Sequence, residues 1–187
     1  MAVTGVVLAA GAGTRMGMPK ALVVQHGEPW SARAVRLLLD AGCDRVVVVL
    51  GASAAEARLL VPTDDTVSTI VNENWPSGMA SSLRAGLTTL SGTASAGDTA
   101  LITLVDTPDL PVGAVRRVLA SGSSLARAVY DGRPGHPVLL GFDHWAAVSA
   151  SVTGDQGARA YLDANGVTDV ECGDLWNGRD IDVLPVE

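Results

Sequence analysis

The valine-rich apolar run Val3–Ala9 leads directly into Gly11-Ala12-Gly13-Thr14-Arg15-Met16-Gly17-Met18-Pro19-Lys20. Its length and composition are those of a strand buried on both faces, the kind found inside parallel sheets. Gly11, Gly13 and Gly17 let the following backbone turn sharply and approach a ligand closely. Exposed N–H groups in such a turn cradle phosphate oxygens. Arg15 adds a planar fork of donors and Lys20 a compact charge, a combination suited to polyphosphate. A turn made only for geometry needs the glycines but neither cation. Leu8, Ala9, Ala10, Gly11, Ala12, Gly13, Thr14, Arg15 and Lys20 are therefore candidate triphosphate-binding residues.

Two other glycine loops fit poorly. A dinucleotide fingerprint opens straight into a helix with glycines at G-x-G-x-x-G, whereas here the third glycine falls one place late and Pro19 follows. A P-loop ends in Gly-Lys-Ser/Thr, but Lys20 is followed by Ala21-Leu22-Val23. Downstream, strand-like runs alternate with helical patterns, which predicts an α/β fold with a mostly parallel sheet. Strands are expected at Arg45–Leu50, Thr66–Val71, Ala100–Val105, Ala126–Tyr130, Val138–Leu140 and from Val167. Helices are expected at Ser31–Ala41, Ala54–Leu60, Ser81–Leu90, Pro111–Ala120 and Gln156–Ala164. Ser91–Gly97 reads as a surface connection too short to divide domains, so 1–187 is expected to form one domain.

The formal charge of −7 over 187 residues argues against nucleic-acid or anionic-membrane surfaces, which need clustered Lys and Arg. Cys43 and Cys172 lack any C-x-x-C spacing and read as buried reduced thiols. No basic leader or ~20-residue apolar span is evident, so the expected compartment is the cytoplasm.

The stretch Leu8–Lys20 resembles the L-A-[AG]-G-x-[GS]-x-R-[ML]-G-x-x-K signature of nucleotidyltransferases related to the molybdenum cofactor enzymes. Further motifs recur in order: Gly78-Met79-Ala80-Ser81-Ser82-Leu83-Arg84, Leu104-Val105-Asp106-Thr107-Pro108, Arg133-Pro134-Gly135-His136-Pro137-Val138, Gly154-Asp155-Gln156-Gly157-Ala158-Arg159 and Asp180-Ile181-Asp182. Together they look most like the cytidylyltransferase branch, beside the related guanylyltransferases. The resemblance implies a Rossmann-like sheet flanked by helices on both faces, of the nucleotide-diphospho-sugar transferase type. It also implies CTP as donor, with Ala10 in place of the guanylyltransferase Gly, and a molybdopterin-type phosphate as acceptor. The product's implied recipient is a molybdoenzyme.

Individual residues carry two readings each. Asp106 follows a strand run directly, at the sheet edge where open α/β folds bind ligands, and a carboxylate there can hold Mg²⁺; a cap for the helix after Pro108 is the plain alternative. The resemblance assigns it a metal role. Asp180 and Asp182 flank Ile181 and share one face of an extended segment. A solvated role is the plain alternative, and the resemblance makes Asp182 the partner of Asp106. The family's continuation after D-I-D is replaced by Val183-Leu184-Pro185, which suggests a shortened terminal helix.

Gly78, Ser81 and Ser82 open a helix whose hydroxyls and free N–H groups could meet a base and ribose, as the resemblance implies; capping would account for the serines equally. His136, held in a rigid Pro-Gly-His-Pro segment, and Arg159 are implied substrate-binding residues; a structural histidine is the plain reading. Asp155 reads as the acidic cap of the helix it precedes.

These parts imply that an acceptor phosphate attacks the α-phosphate of a nucleoside triphosphate and releases pyrophosphate. Arg15, Lys20 and Asp106 would carry catalysis, with Mg²⁺ on Asp106 and Asp182. Three alternatives stay open: GTP or another small phosphate as substrate, a non-catalytic nucleotide-binding maturation protein, and an NAD-dependent oxidoreductase.

Overall fold

A computed structural model describes residues 1–183. The strands are β1 (Val3–Ala9), β2 (Val24–Gln25), β3 (Glu28–Pro29), β4 (Arg45–Leu50), β5 (Val67–Val71), β6 (Thr99–Leu104), β7 (Leu125–Tyr130), β8 (Arg133–Gly141) and β9 (Thr168–Glu171). β2 and β3 form a separate small hairpin, and the other seven make one sheet in the order β5-β4-β1-β6-β8-β7-β9. β5, β4, β1 and β6 run parallel, and so do β7 and β9; β8 is antiparallel to both its neighbours. From β1 the chain builds outward to β4 and β5, then returns to add β6 on the other side. The carboxyl end of β1 is thus a topological switch point, where crossovers leave a crevice.

Helices cover both faces, as the resemblance implied. They are α1 (Trp30–Ala41), α2 (Ala54–Arg58), α3 (Met79–Ser91), α4 (Val112–Leu119), α5 (Phe142–Ser151) and α6 (Arg159–Ala164). Alternate side chains of each central strand serve opposite cores. Val7, Ala9, Val46 and Val48 pack with Trp30, Leu38, Val115 and Val118 of α1 and α4. Val6, Leu8, Val47 and Val49 pack with Leu83, Leu87, Trp145 and Leu162 of α3, α5 and α6.

Helix α1 buries Ala34, Val35, Leu38 and Ala41 and ends at Gly42, whose φ of 109° gives the left-handed cap expected there. Leu38 is fully buried and sits over Gly5, where an added Cβ would lie 2.7 Å from its Cδ1. Leu38→Ala is expected to lower unfolding stability by about 3 kcal/mol, because a sheet strand cannot collapse into the void. The shift of a urea-unfolding midpoint measures it.

Three expectations need correction. Arg133–Pro137 belongs to strand β8, which thus starts well before the expected Val138, and the pairing of β8 with β7 shifts register between Arg127 and Val129. Helix α5 was not anticipated: its alanines blur the polar face, so only Trp145 and Val148 mark the buried side. The last helix begins at Arg159, three residues later than expected, after Thr153–Ala158 has folded as turns. Cys43 and Cys172 are free and buried, and burial pushes the Cys43 thiol up to about 12. Among the described residues no helix is long and apolar enough to cross a membrane. The expected alteration of the terminal helix falls largely on residues 184–187, outside the described residues.

Candidate functional site

The β1 strand delivers Ala10 to Ala12 to the sheet edge, and the loop then folds back on itself. Met16 and Gly17 both donate N–H bonds to the Gly13 carbonyl, at 2.9 Å each. Gly13 has φ +61°, and a Cβ there would run into the Met18 carbonyl, so this turn requires glycine. Met16 and Met18 pack against the core, which anchors the loop. Pro19 then leads into a single 3-10 turn at Lys20–Leu22, which places Lys20 under the end of the sheet.

Lys20 Nζ donates to Asp106 Oδ2 at 2.6 Å and to Asp182 Oδ1 at 2.8 Å. Its side chain is 16% exposed and that of Asp106 13%. Arg15, 78% exposed, reaches Asp182 Oδ2 from solvent at 2.9 Å. The segment 180–182 is held there by backbone: Ile181 N–H donates to the Asp106 carbonyl at 2.9 Å. Two distant stretches of sequence thus converge on one cationic side chain. Burial opposes the charge on Lys20, but the hydrogen bonds and charges of Asp106 and Asp182 outweigh it and raise its pKa. The Lys20 hydrogen bond and charge, with a smaller contribution from Arg15, hold the Asp182 carboxyl below its ordinary value.

Asp106 does not cap α4, whose first turn is preceded by Pro111 without a side-chain cap. Instead its Oδ1 is sealed from solvent with no hydrogen-bond partner. Asp106, Asp180 and Asp182 each offer an oxygen within 4.8 Å of the others. An oxygen-only donor set with one buried, unpartnered lone-pair site fits a hard divalent cation. Asp180, which shares with Asp182 the carboxylate face read from the extended segment as able to hold a cation, is the third member.

A cleft of about 290 Å³ opens beside this cluster, lined by Leu8, Ala9, Ala10, Gly11, Ala12 and Lys20 on one side and by Asp106, Trp75, Gly78 and Ser82 among others. Gly13, Thr14 and Arg15 lie outside its lining, as does Ser81. The first turn of α3 is not open as expected. Met79 N–H donates to Asp155 Oδ1 at 3.3 Å, and Ala80 N–H to the Gly154 carbonyl at 2.9 Å. Asp155 therefore serves α3 rather than the helix that follows it. Ser81 and Ser82 cap no free N–H: both accept from Asn72 Nδ2, at 2.7 and 3.0 Å. Arg84 donates to the Ser149 and Val152 carbonyls and ties α3 to the end of α5.

A second, inner pocket of about 240 Å³ shares Leu8, Met79 and Asp155 with the first and contains both His136 and Arg159. His136 donates from Nδ1 to the Ile102 carbonyl at 3.3 Å. Burial lowers its pKa and keeps the ring neutral, against the Ile102 hydrogen bond and the charges of Asp106 and Asp180. An unfolded chain takes up this proton near the ordinary value of 6.5, while the folded one resists it. Stability is therefore expected to fall as pH drops below that value, and His136→Gln to flatten the slope. Melting temperatures between pH 8 and pH 5 measure both. Trp75, Met79 and Arg127 also line these pockets without having been singled out from sequence.

The sequence model of the MobA-like NTP transferase domain matches residues 5–170. Nicotine blue oxidoreductase of Paenarthrobacter nicotinovorans is 38% identical over 198 residues, spanning 97% of this chain and 93% of that protein. The crystal structure of a Mycobacterium tuberculosis Rv0371c homologue from Mycobacterium sp. strain JC1 superposes with a TM-score of 0.81 at 26% identity, over 97% of this chain and 90% of that one. A Methanothermobacter nucleotidyl transferase, Mth528, gives 0.80 at 22% identity over 97% and 92% of the two chains, a likeness of fold. With the domain match covering most of the sequence and the glycine loop, Lys20 and Asp106 meeting at the switch point, the chain belongs to the MobA-like NTP transferase family and is a nucleotidyltransferase.

Proposed function

We propose that this single-domain protein transfers CMP from CTP, with Mg²⁺, to a phosphate of a molybdopterin-type acceptor, releasing pyrophosphate. On this reading it works in the cytoplasm and passes its product to a molybdoenzyme. The observation that carries the reading is the convergence of Lys20, Asp106 and Asp182 beside a cleft walled by the glycine loop. In this scheme the Ala10–Ala12 backbone and Lys20 hold the triphosphate, and Arg15 reaches its outer end. Asp106, Asp180 and Asp182 hold the cation, which when bound neutralises phosphate charge. Trp75, Gly78 and Ser82 border the space for base and ribose. The choice of cytosine rests on the resemblance, in which Ala10 stands where the guanylyltransferases carry Gly.

An acceptor phosphate oxygen bonds to the α-phosphorus while the α–β bridging bond breaks and its electrons leave with pyrophosphate. A phosphate nucleophile is already ionised near neutral pH, so the site needs no general base. Lys20 stays close enough to follow the charge as it develops. The test is pyrophosphate release from each of CTP, GTP, ATP and UTP, with and without a molybdopterin acceptor. CTP-selective, acceptor-dependent release is expected; binding of CTP without release under any acceptor would favour a non-catalytic maturation role.

The name of the 38%-identical relative supports a second reading. There the cleft takes the pyrophosphate of a reduced nicotinamide dinucleotide and the inner pocket a flat oxidised dye. NADH or NADPH oxidation with a quinonoid acceptor, in protein that releases no pyrophosphate, would establish it. The three clustered carboxylates speak for the first reading, since hydride transfer has no use for a dication at that position.

A further inference from the structure

Arg127 stands in the middle of β7, opposite Val138 of β8, and is only 7% exposed. Its Nε donates to Asp169 Oδ1 and its Nη1 to Asp163 Oδ1, both at 2.6 Å. Both carboxylates are about half exposed, so the pairs run outward from a buried guanidinium toward solvent. A guanidinium has five N–H donors. The remaining three, two of them on Nη2, have no hydrogen-bond partner among the described residues, and Nη2 is not sealed in packing. Arg127 lines the inner pocket, and that is where such groups find room.

The rest of the pocket is mostly apolar: Leu8, Leu83, Ile102, Val138 and Leu162 form its walls. At about 240 Å³ it lies below the roughly 300–1,000 Å³ of drug-sized sites and suits one small fused ring system. It shares Leu8, Met79 and Asp155 with the cleft beside Lys20, so the two spaces adjoin. Beside the polar members His136, Asp155, Gln156 and Arg159, the spare donors of this fixed cation offer charge-assisted hydrogen bonds to a ligand's acceptor edge.

We infer that Arg127 determines acceptor specificity: Asp163 and Asp169 fix its guanidinium, whose free N–H groups bind the carbonyl or anionic edge of a flat heterocycle seated in the inner pocket. The inference rests on the reading of that pocket as the acceptor side of the proposed transferase. It makes Arg127 a contact to the non-reacting end of the acceptor, remote from the triphosphate.

The test uses the whole protein and two fluorescent or absorbing probes, pterin-6-carboxylate, which has such an edge, and quinoxaline, which is flat but lacks it. Wild-type protein is expected to bind the pterin at least tenfold more tightly. Arg127→Met and the conservative Arg127→Lys are expected to weaken the pterin at least tenfold and leave quinoxaline and Mg²⁺-CTP within twofold. Equal binding of the two probes by wild type, no saturable binding, unchanged pterin affinity in the variants, or parallel loss of both probes each overturns the inference; the last would mean that Arg127 only ties α6 and β9 to β7. If neither variant folds, Leu162→Trp, which fills the pocket and leaves Arg127 in place, decides: the pterin must be lost, and retained binding refutes the assignment. Failure of pyrophosphate release with every acceptor would remove the proposed transfer while leaving this probe selectivity intact, so the two can fail separately.

Discussion

Asp106→Asn is expected to lower turnover about 10³-fold, the size of effect seen when one preorganised electrostatic contact to a developing charge is removed. Asn keeps the shape and can still accept from Lys20, so the loop should stay in place. The negative charge is what disappears, and with it a buried carboxylate oxygen that has no partner. Asn that accepts from Lys20 places its amide NH2 at the sealed position without a partner, and Lys20 loses a charged neighbour, so the melting temperature of metal-free protein should fall modestly while the fold is kept. Mg²⁺ titration of the rate completes the check: the variant's residual activity should need a higher concentration to saturate. Normal Mg²⁺-dependent turnover by Asp106→Asn would contradict the whole assignment.

Lys20→Met is expected to move two observables in opposite directions. Pyrophosphate release should drop by about 10³-fold or more, since a cation that contacts the triphosphate is lost. Affinity of the nucleotide-free protein for Mn²⁺ or Mg²⁺ should rise. Lys20 donates to both Asp106 and Asp182, two of the carboxylates that would hold a metal, so in the free enzyme its ammonium competes with the ion for their charge. Removing it leaves three carboxylates facing one another, and like charges at such distances favour a dication strongly. Isothermal titration of metal into the apo variant measures this, and a weaker affinity than wild type would show that Lys20 organises the carboxylates instead of competing for them.

The clasp also has a defined pH window. Asp182's depressed pKa contributes stability that is present above the ordinary carboxylate range and disappears as pH falls through the lower folded value. Lys20's raised pKa contributes below its ordinary value of 10.5 and is lost as pH climbs through the folded one. Between these limits both partners stay charged, which leaves the ring of His136 to supply the acid sensitivity.

Much of this was legible in the residue order. Val3–Ala9, Arg45–Leu50 and the helical spacing of α1 announce their elements because burial on two faces or on one stripe leaves a periodic trace. Gly42 and Gly13 could be read as turns for the same local reason: only glycine takes those backbone angles without strain. α5 and the long β8 were not legible, since the first lacks a polar face and the second contains prolines that usually end a strand. The role of Asp155 was misread because a carboxylate before a helix reads as that helix's cap, whereas its partner is Met79, far away in sequence.

Residue order alone carried the alternation of strand and helix, the glycine turn, and Arg15, Lys20, Asp106 and Asp182 as candidate phosphate- and metal-binding charges. Those properties are local, set by periodicity and backbone angles within a few residues. It took the folded chain to bring Lys20, Asp106, Asp180 and Asp182 to one sheet edge, to keep Ser81 out of the cleft lining, and to bury Arg127 with donors to spare. Which charges become neighbours depends on strand order and crossover direction, and a linear pattern records neither.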